Sequence, residues 1–203
     1  MISLLTFGSS KVILVANSKQ TQKKQQLLSD LTSENPKTVS AAITALHVHG
    51  DSSMIPALLE AWNSKLNEKN EEELRELLIG LKDSAAVVPL MEAFRSSDDQ
   101  LFKRKLMNVF WNSKLDFSEY LSDFVVFAIE GDFMDCLETL TVIEQFEFNV
   151  PESSVLESQL LLKEYFGKEE KTEERKLQLL QDIAIIVKDF EAGSDMDDFY
   201  DED

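Results

Sequence analysis

A pair of amphipathic helix patterns that returns further along the sequence, with Asp83 in the place of Asp51, constrains this chain more than any other feature. In the first copy, apolar residues recur at Val39, Ala42, Ile43 and Leu46, the three-to-four spacing of one helix face. Pro36 sits where a first-turn proline is tolerated, with Asn35 before it as the cap. Gly50 is placed to take the left-handed conformation that ends a helix. Asp51, Ser52 and Ser53 can then cap a second helix over Met54 to Asn63, striped by Ile55, Leu58, Leu59 and Trp62. So short a joint between two amphipathic helices predicts an antiparallel hairpin. Shifted by 32, Asp51-Ser52 lies over Asp83-Ser84, and Leu58-Leu59-Glu60-Ala61-Trp62 over Leu90-Met91-Glu92-Ala93-Phe94. The second copy is expected as a helix over Glu71 to Leu81, a joint over Lys82 to Ala85 and a helix over Ala86 to Arg95. One such hairpin cannot bury its apolar side alone, so a repeating pair implies stacking of neighbours around a shared core.

Only 6 glycines and 4 prolines occur in 203 residues, which favours helices with short connections throughout. Further helices are expected from Asp98 or Asp99 to Trp111, from Phe117 to Glu130 behind Asp116, and from Phe133 to Phe146. Two more run from Pro151 to about Phe166 and from about Thr172 to Phe190. Their expected inward residues are Tyr120, Leu121, Phe124 and Val125; Leu137, Leu140 and Ile143 or Glu144; and Leu179, Leu180, Ile183 and Val187. A short polar helix, Thr21 to Leu31, precedes the array with Leu27, Leu28 and Leu31 as its seam. Trp62-Asn63-Ser64-Lys65-Leu66 recurs as Trp111-Asn112-Ser113-Lys114-Leu115, out of phase with the repeat, and reads as a shared way of leaving a helix. Three domains result: an apolar flap or hairpin over 1–20, an array over 21–190, and an acidic tail over 191–203. In the first, Lys11 lies between two apolar pieces, unlike a secretory signal, whose positive charge comes first. In the last, seven of thirteen residues are acidic, a composition that repels itself and is expected to be disordered.

Ala41-Ala42, Ala45-Leu46, Gly50-Asp51 and Ile55-Pro56 with Leu59 together resemble a HEAT-like repeat, of the short-period variety found in phycobilisome lyases and many small bacterial proteins. The second copy keeps Leu77-Leu78, Asp83, Val88-Pro89 and Leu90 but has Leu81-Lys82 where the glycine is expected. The match covers about Pro36 to Arg95. The resemblance implies an all-α fold, a short α-solenoid of stacked antiparallel helix pairs, with alanines 41, 42 and 45 letting backbones approach. It speaks to fold more than to function.

The net charge of −18, from 38 acids and 20 bases, repels phosphate backbones and anionic lipid heads and attracts basic partners. No nucleic-acid or membrane partner is expected. His47 and His49 are two residues apart, so on a helix they point roughly 200° apart, poor chelating geometry. Cys136 lies among Asp132, Asp135 and Glu138, which raise a thiol's pKa. As the lone cysteine it also suits a reducing, cytoplasmic setting. No metal site, cofactor site or catalytic residue is read from the chain. The tail offers Asp197, Asp198, Phe199 and Tyr200 as an acidic–aromatic motif for a basic groove. Phe102 and Phe127 fall off the helical stripes and would mark a contact patch if exposed. The expected function is a non-catalytic scaffold or adaptor holding a basic protein or peptide on a helical face, with the oligomeric state open. The resemblance supplies the alternative, a phycobilisome lyase-like or other cofactor-handling enzyme.

Overall fold

The structure, a computed structural model, describes residues 22–64, 66–146, 150–168 and 173–197, without the side chains of His49 and of residues 191–197. Among the described residues every regular element is helical: α1 (22–31), α2 (Pro36–His49), α3 (Ile55–Asn63), α4 (Glu68–Ile79), α5 (Val87–Ser96), α6 (Gln100–Asn112), α7 (Leu121–Glu130), α8 (Phe133–Ile143), α9 (Glu152–Phe166) and α10 (Glu174–Asp197). One-turn 3-10 segments, Ser52–Met54, Ser84–Ala86 and Ser118–Tyr120, lead into α3, α5 and α7. The repeat is carried by starting points. Helices α2, α4, α6 and α8 begin at Pro36, Glu68, Gln100 and Phe133, and helices α3, α5 and α7 at Ile55, Val87 and Leu121. Both series keep the step from Asp51 to Asp83 to within two positions. The period thus continues through the stretch where the residue match fades.

Aspartates set these starts. Asp51 and Asp83 accept from the N–H of Ser53 and Ala85 at 3.2 and 3.0 Å, and Asp99 from Leu101 at 2.9 Å. Each satisfies an amide that has no partner in the first turn. Asn35 caps α2 as expected, accepting from Lys37 at 3.0 Å. Gly50 departs from expectation. Its φ of −73° and ψ of 157° are extended, not left-handed. Glycine is required there because a Cβ would lie 2.5 Å from the Leu46 carbonyl oxygen. At Gly131, which ends α7 ahead of α8, a Cβ would lie 2.3 Å from an Asp135 carboxylate oxygen.

The chain divides into two compact units, Met1–Leu78 and Ile79–Asp203. That boundary falls inside the single array read over 21–190, at the end of α4. In the first unit, α2 and α4 are joined at their N-terminal ends: Asn70, buried, donates to the Pro36 carbonyl at 3.0 Å, and Ser40 donates to Glu73 at 2.9 Å. Leu31, Ile43, Leu46, Ile55, Leu59 and Trp62 form its interior. Of the three alanines expected between backbones, only Ala42 is buried; Ala41 is exposed. Helix α4 starts at Glu68, three residues before expectation, because Asn67 accepts from the Asn70 N–H at 3.0 Å and sets the first turn.

In the second unit, α5 packs on α6, α7 on α8 and α9 on α10, while α6 also meets α8, α7 meets α9, and α8 meets α10. Phenylalanine rings run through it. Phe94 on α5 lies 5.6, 5.9 and 5.2 Å from Phe110, Phe124 and Phe127, and Phe124 connects through Phe146, at 6.0 Å, to Phe190 on α10, at 6.4 Å. Phe102 and Phe127, expected as possible surface, are buried at 5% exposure each. Helices flanked on both sides bury more than one stripe. Helix α8 turns differently from expectation: Leu137 is exposed, and Cys136, Thr139, Val142 and Ile143 face inward. On α7, Leu121, Phe124 and Val125 are buried as expected, while Tyr120 is half-buried. Helix α10 buries Leu180, Ile183, Val187 and Phe190 and continues to Asp197, seven residues into the segment expected as a tail. No proline interrupts it there. The flap or hairpin expected over 1–20 lies outside the described residues.

Because Phe94 meets three rings from two helices, replacing it should open a cavity that the surroundings cannot close. Phe94→Ala is expected to lower the unfolding free energy by about 3–5 kcal/mol, measured by urea denaturation followed by far-UV circular dichroism.

Candidate partner-binding surface

Burial in the second unit recurs with the step that carries Val87 onto Leu121 and Leu121 onto Val155. Val87, Leu90 and Phe94 on α5 are buried, as are Leu121, Phe124 and Ala128 on α7 and Val155, Ser158 and Leu162 on α9. The opposite face of each helix recurs in the same step. It presents Val88, Glu92 and Arg95; Ser122, Val126 and Ile129; and Leu156, Leu160 and Lys163. The three helices lie side by side: α7 packs against α9, and Arg95 on α5 donates to Asp123 on α7 through two bonds of 2.6 and 2.5 Å. The Arg95 guanidinium also rests 5.0 Å over the Tyr120 ring and lies in the field of Glu157 on α9. The hydrogen bonds to Asp123 raise its already high pKa, so it is a fixed cation. Val88, Leu156 and Leu160 are 52%, 51% and 65% exposed, and Glu92, Glu130, Glu157 and Glu164 stand exposed around them. The result is a three-helix face with an apolar centre and an acidic border.

A charge cluster joins α6 to α8 around one buried carboxylate. Asp135, 1% exposed, accepts from Arg104 at 2.6 and 3.1 Å, from Gln100 at 2.9 Å and from the Asp132 N–H at 2.8 Å. Arg104 also donates to Asp132 at 2.5 Å. Burial alone would push the Asp132 carboxyl up, but Arg104 and the N–H groups of Asp135 and Met134 bring it below its usual value. Both Asp135 oxygens accept hydrogen bonds, so the cluster fastens α6 to α8. Glu138, one turn further, accepts from the Trp111 indole N–H at 3.1 Å. Burial raises its pKa, with Trp111 and Arg104 offsetting part of the effect. Cys136 donates to the Ala128 carbonyl at 3.2 Å, and burial, more than its acidic neighbours, pushes its pKa up to about 11. It is a protonated core thiol at neutral pH.

A cavity of about 410 Å³ opens beside the α6–α7 connection, walled by Phe110, Phe117, Val142 and Phe146 with Lys114 and Gln145 at its rim. His47 is exposed. Asp197 is the last described residue of α10, and its side chain, with Asp198, Phe199 and Tyr200, lies outside the described residues. Both copies of the Trp-Asn-Ser echo end a helix at the asparagine, and each serine donates back to a carbonyl three residues earlier, Ser64 to Ala61 at 2.5 Å and Ser113 to Phe110 at 3.2 Å. Among the described residues no group of three or more His, Cys, Asp or Glu side chains could hold a metal ion, and no helix is long and apolar enough to cross a membrane. The sequence reading did not single out Leu156 and Leu160. They sit in or beside the run Leu160-Leu161-Leu162, where inward and outward leucines look alike; aligning α9 to α7 with Val155 over Leu121 separates them. Compared with family profiles, with curated proteins and with solved structures, the chain matches none.

Two outcomes follow from the charge cluster. Arg104→Met leaves the Asp135 carboxylate buried without its cation and is expected to cost about 3 kcal/mol of stability, measured at pH 7 by urea denaturation. Glu138 contributes a pH dependence. Its native pKa is raised, so its favourable contribution is full below the ordinary 4.5 and is lost as pH rises through the native value. Glu138→Gln keeps an acceptor for Trp111 and should therefore be at least as stable as the parent at pH 7, with its advantage shrinking below about pH 4.5; a parent more stable at pH 7 and less stable in acid would contradict the assignment.

Proposed function

We propose that this chain is a non-catalytic interaction scaffold of the HEAT-like α-solenoid type, which holds a basic protein or peptide on the outer face of one row of helices. The observation that carries this reading is the recurrence along α5, α7 and α9 of buried positions on one side and apolar and acidic positions on the other. Recurrent positions on helices lying side by side make one extended surface from several short elements, which is how stacked repeats recognise partners. In the second unit, the packing of α7 on both α8 and α9, and of α8 on both α6 and α10, is what a stepwise stack requires and supports it over a closed bundle. The border of glutamates and the net charge of −18 supply the preference for a basic partner and a fast encounter. Cys136, reduced and buried, suits the cytoplasm as the place of action.

Retention of proteins from native lysate on the immobilised chain, followed by rebinding of a purified one, tests the proposal. A basic partner is expected, whose dissociation constant rises at least about tenfold between roughly 50 and 300 mM salt as screening shortens the reach of the acidic border. Reversing Glu92 and Glu157 together to lysine should weaken the same complex and flatten its salt dependence. Retention that ignores both salt and charge reversal sinks the reading.

A further inference from the structure

We propose that the ridge formed by Leu156 and Leu160 on α9, with Val126 and Ile129 on α7 beside it, receives an amphipathic helix carrying lysine or arginine on its polar side, supplied by a partner protein. This assignment rests on the scaffold reading and deepens it. Leu156 and Leu160 are one helical turn apart and face away from the core residues Val155, Ser158 and Leu162. Two apolar anchors at that spacing match the i, i+3, i+4 pattern of a docked helix, because successive turns meet at the same pitch. The equivalent residues of α7, Ser122 and Val126, are half-buried, so α9 is where the row's apolar centre is most open.

Charge selects the occupant. Glu157 and Glu164 flank the ridge on one side and Glu152 stands at its other edge; Glu130 on α7 is also exposed. The cation Arg95 is already held by Asp123, which leaves Lys163 as the basic group on the exposed side of α9 among the described residues. A second copy of the chain would bring another net charge of −18 and the same glutamates against these, a like-charge juxtaposition that disfavours the contact. A helix with an apolar stripe flanked by lysines places leucine on leucine and cation beside carboxylate.

The test uses the full chain and a synthetic helix of about 18 residues, long enough to form on binding, with leucines at i, i+3, i+4 and i+7 and lysines on the remaining face. Its control has the same composition with the leucines dispersed. By fluorescence anisotropy at moderate salt, the amphipathic peptide is expected to bind at least about tenfold tighter than the control, as anchor residues dominate helix recognition. Replacing both Leu156 and Leu160 with serine should lower that affinity by at least about tenfold, with circular dichroism and Tm unchanged. Leu101→Ser, an equally exposed position on α6, should leave it intact. Equal binding of the two peptides, or undiminished binding to the double variant, overturns the proposal. So does a dimer in sedimentation that the same double substitution dissolves, since that gives the ridge to a second copy. If the partner isolated from lysate binds the double variant at full strength, the scaffold reading stands and the ridge assignment alone falls.

Discussion

The ring contacts that run from Phe94 on α5 through Phe110 and Phe124 to Phe146 and Phe190 on α10 give the second unit its thickness and its order. A phenylalanine is wide enough to reach past its own helix, so one residue serves a hairpin partner and a neighbour in the same row at once. Phe94 does both, touching α6 and α7. Tilted and edge-to-face approaches between rings fix relative orientation more tightly than aliphatic packing does. The rings therefore hold α5 against both α6 and α7, while α9 takes its place through its packing on α7 and α10.

Polar bonds then fasten what the rings align. Thr139 and Cys136 on α8 donate to carbonyls of Phe124 and Ala128 on α7, and Lys176 on α10 donates at 2.7 Å to both Ile129 and Gly131, the open C-terminal carbonyls of α7. Asp135 ties α8 to α6 through Arg104. Helix α8 is thus tied to α6 and α7 through polar side chains that reach charge or backbone, and packs on α10 as well. Gly131 belongs to the same arrangement, because any side chain there would displace the Asp135 carboxylate from its cation.

The parts of this architecture that depend on local chemistry were readable from the residues alone. An aspartate two residues ahead of an amide, a proline in a first turn and a short joint are complete signals within a few positions, and Asp51, Asp83, Pro36 and Asp99 all behave as those signals say. The step from Asp51 to Asp83 was readable for the same reason. Helix α8 was not, since its inward face includes Asp135 and Thr139, and Asp135 looks like surface until Arg104, far back in the sequence on α6, is known to lie opposite. Phe102 and Phe127 lie off the single stripe and are buried all the same, because a one-stripe rule describes a helix at the edge of a structure and these lie on helices covered from more than one side. The exposed leucines of α9 were not legible at all. A leucine carries no mark of which way it points, and only the burial pattern of the neighbouring helix supplies one.

Helix α9 packs on α7 and α10, yet its outward face carries two open leucines, Leu156 and Leu160. In a chain of neutral charge such a ridge would invite copies of itself. Here each copy carries eighteen excess negative charges, and the repulsion acts over roughly 8–10 Å at ordinary ionic strength, the distance at which two such faces would begin to touch. On the proposed reading, the acid therefore has two effects with one cause. It discourages the like partner and draws the basic one, so that an apolar surface can remain open without being occupied by its own kind.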